Sequence, residues 1–307
     1  MSKTKRNNRR KLWLLTVGFA LLVACAVVWQ LFPPATWGDS ESTRTDGTLT
    51  VRFLDVGQGD CALLTNGEQA VLIDAGTVEQ PRLVYEWLCS YGIQRLDAVF
   101  VSHPHADHMG GLSAVLRNGS VGDVYLQLPP KELTVTEAFY TDALAVMEEQ
   151  RISWIQPQAE DSFSYCGATF TVVGPLAPIA EDLNDLSLCV RVEYGDRAFL
   201  FCGDMTEKEE KTLLQRENGL AADVLKVPHH GSGGSSHRRF LEAVNPEIAV
   251  ISCGKYNDYG HPHSSVLERL AEVDAAVYRT DEQGTVTVTT DGKELHIFTE
   301  KTKKDVA

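Results

Sequence analysis

The stretch "FVSHPHADHMGG", Phe100 to Gly111, sets His103, His105, Asp107 and His108 within six positions behind an apolar run. A short apolar run bounded by turn residues reads as a buried strand, so all four side chains leave one strand end. Imidazole nitrogens and carboxylate oxygens are ligands for zinc, manganese or iron, and four in one loop can serve two ions. His103 and His105 leave the strand in an extended loop, Asp107 and His108 lie one short turn further on, and the pair Gly110-Gly111 lets the chain enter a helix. Any fold that uses this cluster must bring other strand ends to the same point.

The rest of the chain is patterned to do so. "TLTVRFLDV" from Thr48, "CALLT" from Cys61, "AVLIDAG" from Ala70 and "LDAVFVSH" from Leu96 are β-rich runs between Gly-rich turns. "PRLVYEWLCSYG" has apolar residues at helical spacing and a Gly stop. "EAFYTDALAVMEEQ" reads as a helix, "ATFTVVGP", "LSLCVRVEY" and "RAFLFCGD" as strands, and a helix is expected around Lys208 to Arg216. Then come the strand "DVLKVPHH", a helix from His237 to Val244, the strand "IAVISCG", the helix "SSVLERLAEV" and the hairpin "TVTVTTDGKELHIFT". Strands outnumber helices but alternate with them, which predicts an α/β sandwich with metal at the strand ends.

Ahead of this domain, six basic residues precede "LWLLTVGFALLVACAVVWQLF", Leu12 to Phe32, which carries no charge. Twenty-one apolar-biased residues suffice to cross a bilayer as a helix, and positive charge before the span puts the N-terminus in the cytoplasm. The expected organisation is a cytoplasmic segment 1–11, a single transmembrane anchor 12–32, a Pro- and Gly-containing linker 33–47, an extracellular domain 48–300 and a tail 301–307. "LVAC", ending at Cys25, resembles a lipobox and makes a lipoprotein the rival tether. The chain carries −14, and without the six leading basic residues the remainder carries −20. An outer domain so acidic repels nucleic acid on average, so a polyanionic substrate needs bound metal or a local basic patch. Lys226, Arg238, Arg239 and Lys255 are the candidates for one.

"HPHADH" matches the HxHxDH signature of the metallo-β-lactamase superfamily, whose members share an αββα sandwich. With "LDVGQGDCALL", "LIDAG", "NDLSLCVRV", "FLFCGD", "LKVPHHGSGGSS" and "YGHPHSSVLERL" in order from Thr48 to Phe298, the chain resembles the extracellular lactamase-like domain of the ComEC family of DNA-uptake proteins. The resemblance implies two divalent ions, manganese or zinc, held by His103, His105, Asp107, His108, a bridging Asp204 and His229. Asp204 follows the strand "RAFLF" at a glycine, and His229 ends "DVLKV". Asp74 is implied as a hydrogen-bond partner of the ligands, with Asp55 and Asp60 similarly placed and Gly57 and Gly59 suited to a turn passing close to the site.

One superfamily feature is missing: no histidine occurs between Met109 and Pro228. One ion then has only His103, His105 and Asp204, unless Asn184, Asp185 or water fills in. Fewer nitrogen donors favour a manganese-type site over tight zinc. A metal-activated water is the expected nucleophile, with Asp107, Asp204, Lys226, His230 and His263 as the catalytic set. Asn184, Ser232, Ser235, Ser236 and His261 are expected to bind substrate. The run "HHGSGGSS" before a helix offers amides and hydroxyls to an anion. The predicted activity is a phosphodiesterase or nuclease acting on DNA. The alternatives are an ester, thioester or lactam hydrolase on the same fold, or a non-enzymatic envelope binding module. Finally, if Gly195-Asp196 is a two-residue turn, Cys189 faces Cys202 across the hairpin at about 4.5 Å between Cα atoms, so either a disulfide or two free buried thiols is expected.

Overall fold

The structure is a computed structural model that describes residues 47–67, 69–176, 180–216 and 219–301. The expected cytoplasmic segment, anchor and nearly all of the linker, and the tail beyond Lys301, lie outside the described residues. Among the described residues, no helix is long and apolar enough to cross a membrane.

The alternating pattern of the early runs builds β1 (Leu49–Phe53), β2 (Ala62–Asn66), β3 (Gln69–Ile73), β4 (Arg95–Val101), β5 (Ser120–Leu126) and β6 (Trp154–Ile155). A second series follows as β7 (Ser162–Tyr165), β8 (Ala168–Gly174), β9 (Cys189–Tyr194), β10 (Arg197–Phe201), β11 (Val224–Lys226), β12 (Ile248–Ile251) and β13 (Ala276–Arg279). The closing hairpin, β14 (Val286–Thr290) and β15 (Leu295–Thr299), returns to the first sheet. One sheet has the order β15-β14-β1-β2-β3-β4-β5-β6 and the other β13-β12-β11-β10-β9-β8-β7.

Residues of like parity on each strand face the partner sheet. Leu49, Val51 and Phe53 of β1 and Ala98 and Phe100 of β4 meet Phe170 and Val172 of β8 and Phe199 and Phe201 of β10 in one core between the sheets. Residues of opposite parity, such as Leu72, Val99 and Val124, pack outward on the helices α1 (Leu83–Ser90), α2 (Ala106–Met109), α3 (Leu112–Asn118) and α4 (Ala138–Gln150). Leu200, Leu225 and Ala249 do the same against α5 (Glu207–Leu213), α6 (Arg238–Val244) and α7 (Ser264–Glu272). The result is the αββα sandwich that the motifs imply. Phe100 joins the two sheets directly below the His103 loop: its ring stacks on Tyr125 at 4.4 Å and on Phe170 at 5.4 Å. Such pairs contribute about 0.5–1.5 kcal/mol each beyond area burial, so the strand feeding the loop has a rigid base.

Parallel pairing aligns the chemistry. β3 and β4 run parallel with Ile73 opposite Phe100, and β10 and β11 run parallel with Phe201 opposite Lys226. The segments leaving β3 and β4 emerge together, as do those leaving β10 and β11, and Gly203 packed on Ser102 brings the two pairs to one rim of the sandwich.

The hairpin turn is as expected, with Tyr194 opposite Arg197 and Val190 opposite Phe201. The disulfide it permits is absent, and Cys189 and Cys202 are both buried free thiols. Cys189 Sγ turns instead toward Met205 Sδ at 3.7 Å and Cys202 O at 3.9 Å. Thiol titration of unreduced, denatured protein is expected to count both cysteines as free.

Candidate metal centre

Asp74 is the organising residue. It follows β3 in the left-handed region, at φ 59°, and its backbone N–H donates to Phe100 O at 2.8 Å. That turn aims the carboxylate at the neighbouring strand end. Oδ1 accepts from the Ser102 amide at 2.7 Å, and Oδ2 accepts from Ser102 Oγ at 2.8 Å and lies 2.9 Å from His108 Nδ1. With Nδ1 held there, His108 presents Nε2 to the interior, 3.1 Å from Asp204 Oδ1. This is the carboxylate–histidine pairing that fixes the orientation of a ligand ring.

Asp204 comes from the end of β10. Gly203, at φ 49°, packs so tightly on Ser102 that an added Cβ would lie 2.6 Å from the Ser102 Cβ. The Asp204 amide donates to Ser187 Oγ at 3.1 Å. His230 comes from the end of β11, where His229, His230 and Gly231 all adopt positive φ. Its Nε2 lies 3.2 Å from Asp107 Oδ2 and 3.5 Å from Asp204 Oδ2, while Nδ1 is 2.9 Å from Ser252 O.

Asp107, His108, Asp204 and His230 thus offer four ligand atoms within 4.8 Å of one another. Beside them His103 Nε2 and His105 Nδ1 approach to 2.8 Å, and the His103 and His108 ring centroids are 4.2 Å apart. His229 approaches from the open side, with Nε2 3.7 Å from Asp204 Oδ2.

This donor set fits a divalent cation. Among the described residues His108 Nε2, His230 Nε2, Asp204 Oδ1 and Asp60 Oδ1 are buried with no well-aligned hydrogen bond, although they face one another, Asp107 or His230 Nδ1 at 3.1–3.3 Å, and buried polar atoms left this way are costly unless something else satisfies them. The electrostatics agree. Burial pushes Asp204 up, but His230 and His108 overcome it and hold the carboxyl well below its ordinary range. Burial lowers His108 and His230, yet Asp204 and its fellow carboxylates more than reverse this and raise both. His103 goes the other way, driven down by burial and then by His108. The cluster attracts positive charge where Asp204 sits.

Several expected roles change. Lys226 is only 4% exposed. Its Nζ lies 2.5 Å from Asp60 Oδ2 and donates to Val227 O at 3.0 Å, so it is engaged inside the protein rather than presented on a basic surface patch. It holds Asp60, whose Oδ1 lies 3.3 Å from His230 Nδ1. Asp60 itself supports the centre, its amide donating to Asp107 O at 3.0 Å. Asp55 does not: its carboxylate accepts from the Gly57 amide at 3.3 Å and shapes the turn.

The anion nest expected in "HHGSGGSS" is filled by the protein itself. Glu210 accepts from the Ser236 amide and, at 3.0 Å, from the His237 amide. Ser235 Oγ donates to Met205 O at 2.6 Å, and both serines are fully buried. Ser232 Oγ receives the Gly234 amide at 3.4 Å. His263 Nδ1 accepts from the Gly233 amide at 2.8 Å, which makes this ring a brace for the loop.

His261 remains facing the site, its ring centroid 5.8 Å from His229 and 6.2 Å from His230. Burial, then His230 and His229, press it down to about 4, so it is neutral at pH 7. Asn184 lies in a 3-10 turn, Leu183–Leu186, with Oδ1 buried and unpartnered. Asp185 is committed to Thr206 Oγ1 at 3.0 Å, the Glu181 amide at 3.0 Å and Lys208 Nζ at 3.3 Å, which removes it as a substitute ligand. Ser187 and Ser102, the hydroxyls that seat Asp204 and Asp74, lie outside the expected site residues. Their signal was adjacency to ligand motifs, in "NDLSL" and "VSHPH".

Residues 54–255 match the family described as the metallo-beta-lactamase superfamily. The chain is 30% identical over 287 residues to ComE operon protein 3 of Bacillus subtilis, covering 86% of this chain and 35% of that protein. It is 33% identical over 241 residues to competence protein ComA of Neisseria gonorrhoeae, covering 78% and 32%. It is also 23% identical over 203 residues to ribonuclease TTHA0252 of Thermus thermophilus, covering 63% and 45%. The chain therefore spans about a third of the length of the two competence proteins.

Proposed function

We infer the function from what the chain is: it belongs to the metallo-β-lactamase superfamily. Within it, the chain is a lactamase-fold hydrolase similar to the competence proteins. The specific reading is a metal-dependent phosphodiesterase acting on DNA, tethered outside the membrane through the apolar run Leu12–Phe32. The observation that carries it is the convergence of Asp107, His108, Asp204 and His230 within 4.8 Å, with His103, His105 and His229 alongside. Names of relatives that include competence proteins and a ribonuclease support nucleic acid as the substrate class.

Two divalent ions held by these residues would supply a nucleophilic water at neutral pH and neutralise phosphoryl oxygens. The chain's part is positional. Asp74 and Ser102 orient His108, Ser187 seats Asp204, and Lys226 with Asp60 holds His230. His261 is neutral and borders the open face, where it can donate a hydrogen bond to a phosphate oxygen or accept a proton. Among the described residues no lysine or arginine joins the four-residue cluster, so bound ions would have to supply the positive charge that an acidic domain needs to admit a polyanion.

The cluster of four has two carboxylates and two imidazoles. Beside it His103 and His105 have no further histidine between Met109 and Pro228 to join them, which leaves positions to water or an amide oxygen, and oxygen donors favour a harder ion than a nitrogen- or sulfur-rich zinc site does. After chelation, full-length protein is expected to regain DNA cleavage better with manganese than with zinc. Equal or better recovery with zinc would refute the donor argument. Hydrolysis of esters or thioesters with none of DNA would replace the phosphodiesterase reading by the alternative on the same fold, which the burial of Lys226, Ser235 and Ser236 favours.

A further inference from the structure

Five large hydrophobic side chains are strongly exposed among the described residues, and two of them, Tyr256 and Tyr259, belong to the loop that borders the metal centre. This concentration has a definite geometry. The His230 and His261 rings lie 6.2 Å apart at an interplanar angle of 23°, and the His261 and Tyr259 rings 5.5 Å apart at 19°. Three near-parallel rings thus lead from the buried cluster to a tyrosine that is 65% exposed. Tyr256, 90% exposed, carries Lys255 Nζ 5.4 Å from its ring centroid. Among the described residues, Lys255 has no carboxylate at ion-pair distance.

The loop is held, not loose. Asn257 Nδ2 donates to Gly254 O at 2.9 Å and to His261 O at 2.7 Å, and its Oδ1 accepts from the His261 amide at 2.9 Å. The Gly254 amide donates to Gln58 Oε1 at 3.0 Å, tying the loop to the turn that carries Asp60. Two aromatic faces left open on one pinned loop beside the cluster form the kind of grouped apolar surface that marks a binding site.

We propose that Tyr259 and Tyr256 form a stacking platform for unpaired nucleobases flanking the scissile phosphate, so that the chain selects single strands over duplex. Each exposed ring offers a face to a base whose own faces are free, whereas bases inside a duplex are already stacked on neighbours. Aromatic stacking binds any base, and a nearby lysine tracks the backbone phosphate. An acidic domain with its other candidate lysine buried gains sequence-tolerant affinity this way. The inference rests on the phosphodiesterase reading and specifies its substrate.

The test is fluorescence anisotropy of the full chain, loaded with manganese, on a short cleavage-resistant phosphorothioate strand, the same strand made abasic, and its duplex. The wild type is expected to prefer the base-bearing strand over both others. Tyr259→Ala should weaken base-bearing strand binding by roughly 5- to 100-fold and leave abasic binding unchanged, while Tyr259→Phe keeps the wild-type affinity. Equal wild-type affinity for base-bearing and abasic strands, or an unchanged Tyr259→Ala, overturns the platform alone. Failure of the wild type to bind any strand, with metal retained, overturns the platform and the nucleic-acid reading together.

Discussion

Replacing Asp204 by alanine is expected to abolish hydrolysis and to lower retained metal while the domain stays folded. Three rings approach Asp204: Oδ1 lies 3.1 Å from His108 Nε2, and Oδ2 lies 3.5 Å and 3.7 Å from the Nε2 atoms of His230 and His229. Removing it takes a carboxylate from the middle of a cluster that could hold a metal ion. Loss of a mere supporting partner costs about 10- to 100-fold in metal affinity, so loss of a donor at the centre of the cluster is expected to exceed about 100-fold. The fold should survive because the carboxylate touches ring nitrogens and not the apolar core, and the amide that seats the segment on Ser187 Oγ is untouched. Metal content by elemental analysis, circular dichroism and turnover decide it. Wild-type metal content in a folded, inactive Asp204→Ala protein would remove Asp204 from the ligand set.

The sandwich was legible because its strands alternate and its motifs fall at strand ends. What escaped the sequence reading has physical reasons. β5, "SVGDVYL", contains a glycine and an aspartate that break the strand pattern, yet Gly122 is required there. A Cβ on it would lie 2.3 Å from Asp97 O of β4, so the glycine permits the strand pairing that its composition argues against. The metal loop was equally legible, since four ligands in six positions leave few other uses. Adjacent residues were not separable: His229 and His230 differ only in which way three successive left-handed residues turn the chain, and the buried one of the pair is His230. Ser235 and Lys226 are placed differently from their expected roles for one reason. A polar side chain near a site looks available in sequence, and only packing reveals that Met205 O has taken the Ser235 hydroxyl and Asp60 the Lys226 ammonium.

Gly59→Ala is expected to cripple the enzyme by roughly 100-fold without touching a ligand, a magnitude typical of a displacement near 1 Å at a reacting centre. A Cβ built on Gly59 would lie 2.5 Å from Asp107 O, a backbone atom of the metal loop, with the Asp107 carbonyl carbon at 3.3 Å and its Cβ at 3.4 Å. Backbone cannot rotate aside as the end of a side chain can, so one loop must move. Either choice strains the bond from the Asp60 amide to Asp107 O, now 3.0 Å, and with it two arms of the site: Asp107 in the cluster, and Asp60 holding Lys226 and His230. Overpacking of this kind costs about 1–3 kcal/mol of stability, which a domain of this size should tolerate. The control is Gly234→Ala, where the nearest atom to a new Cβ is Ser232 Oγ at 3.8 Å and the residue is exposed. That variant is expected to match the wild type in melting temperature and turnover. A Gly59→Ala protein with wild-type turnover would mean that the turn carrying Asp60 yields freely, and that the metal loop is positioned from the Asp74 side alone.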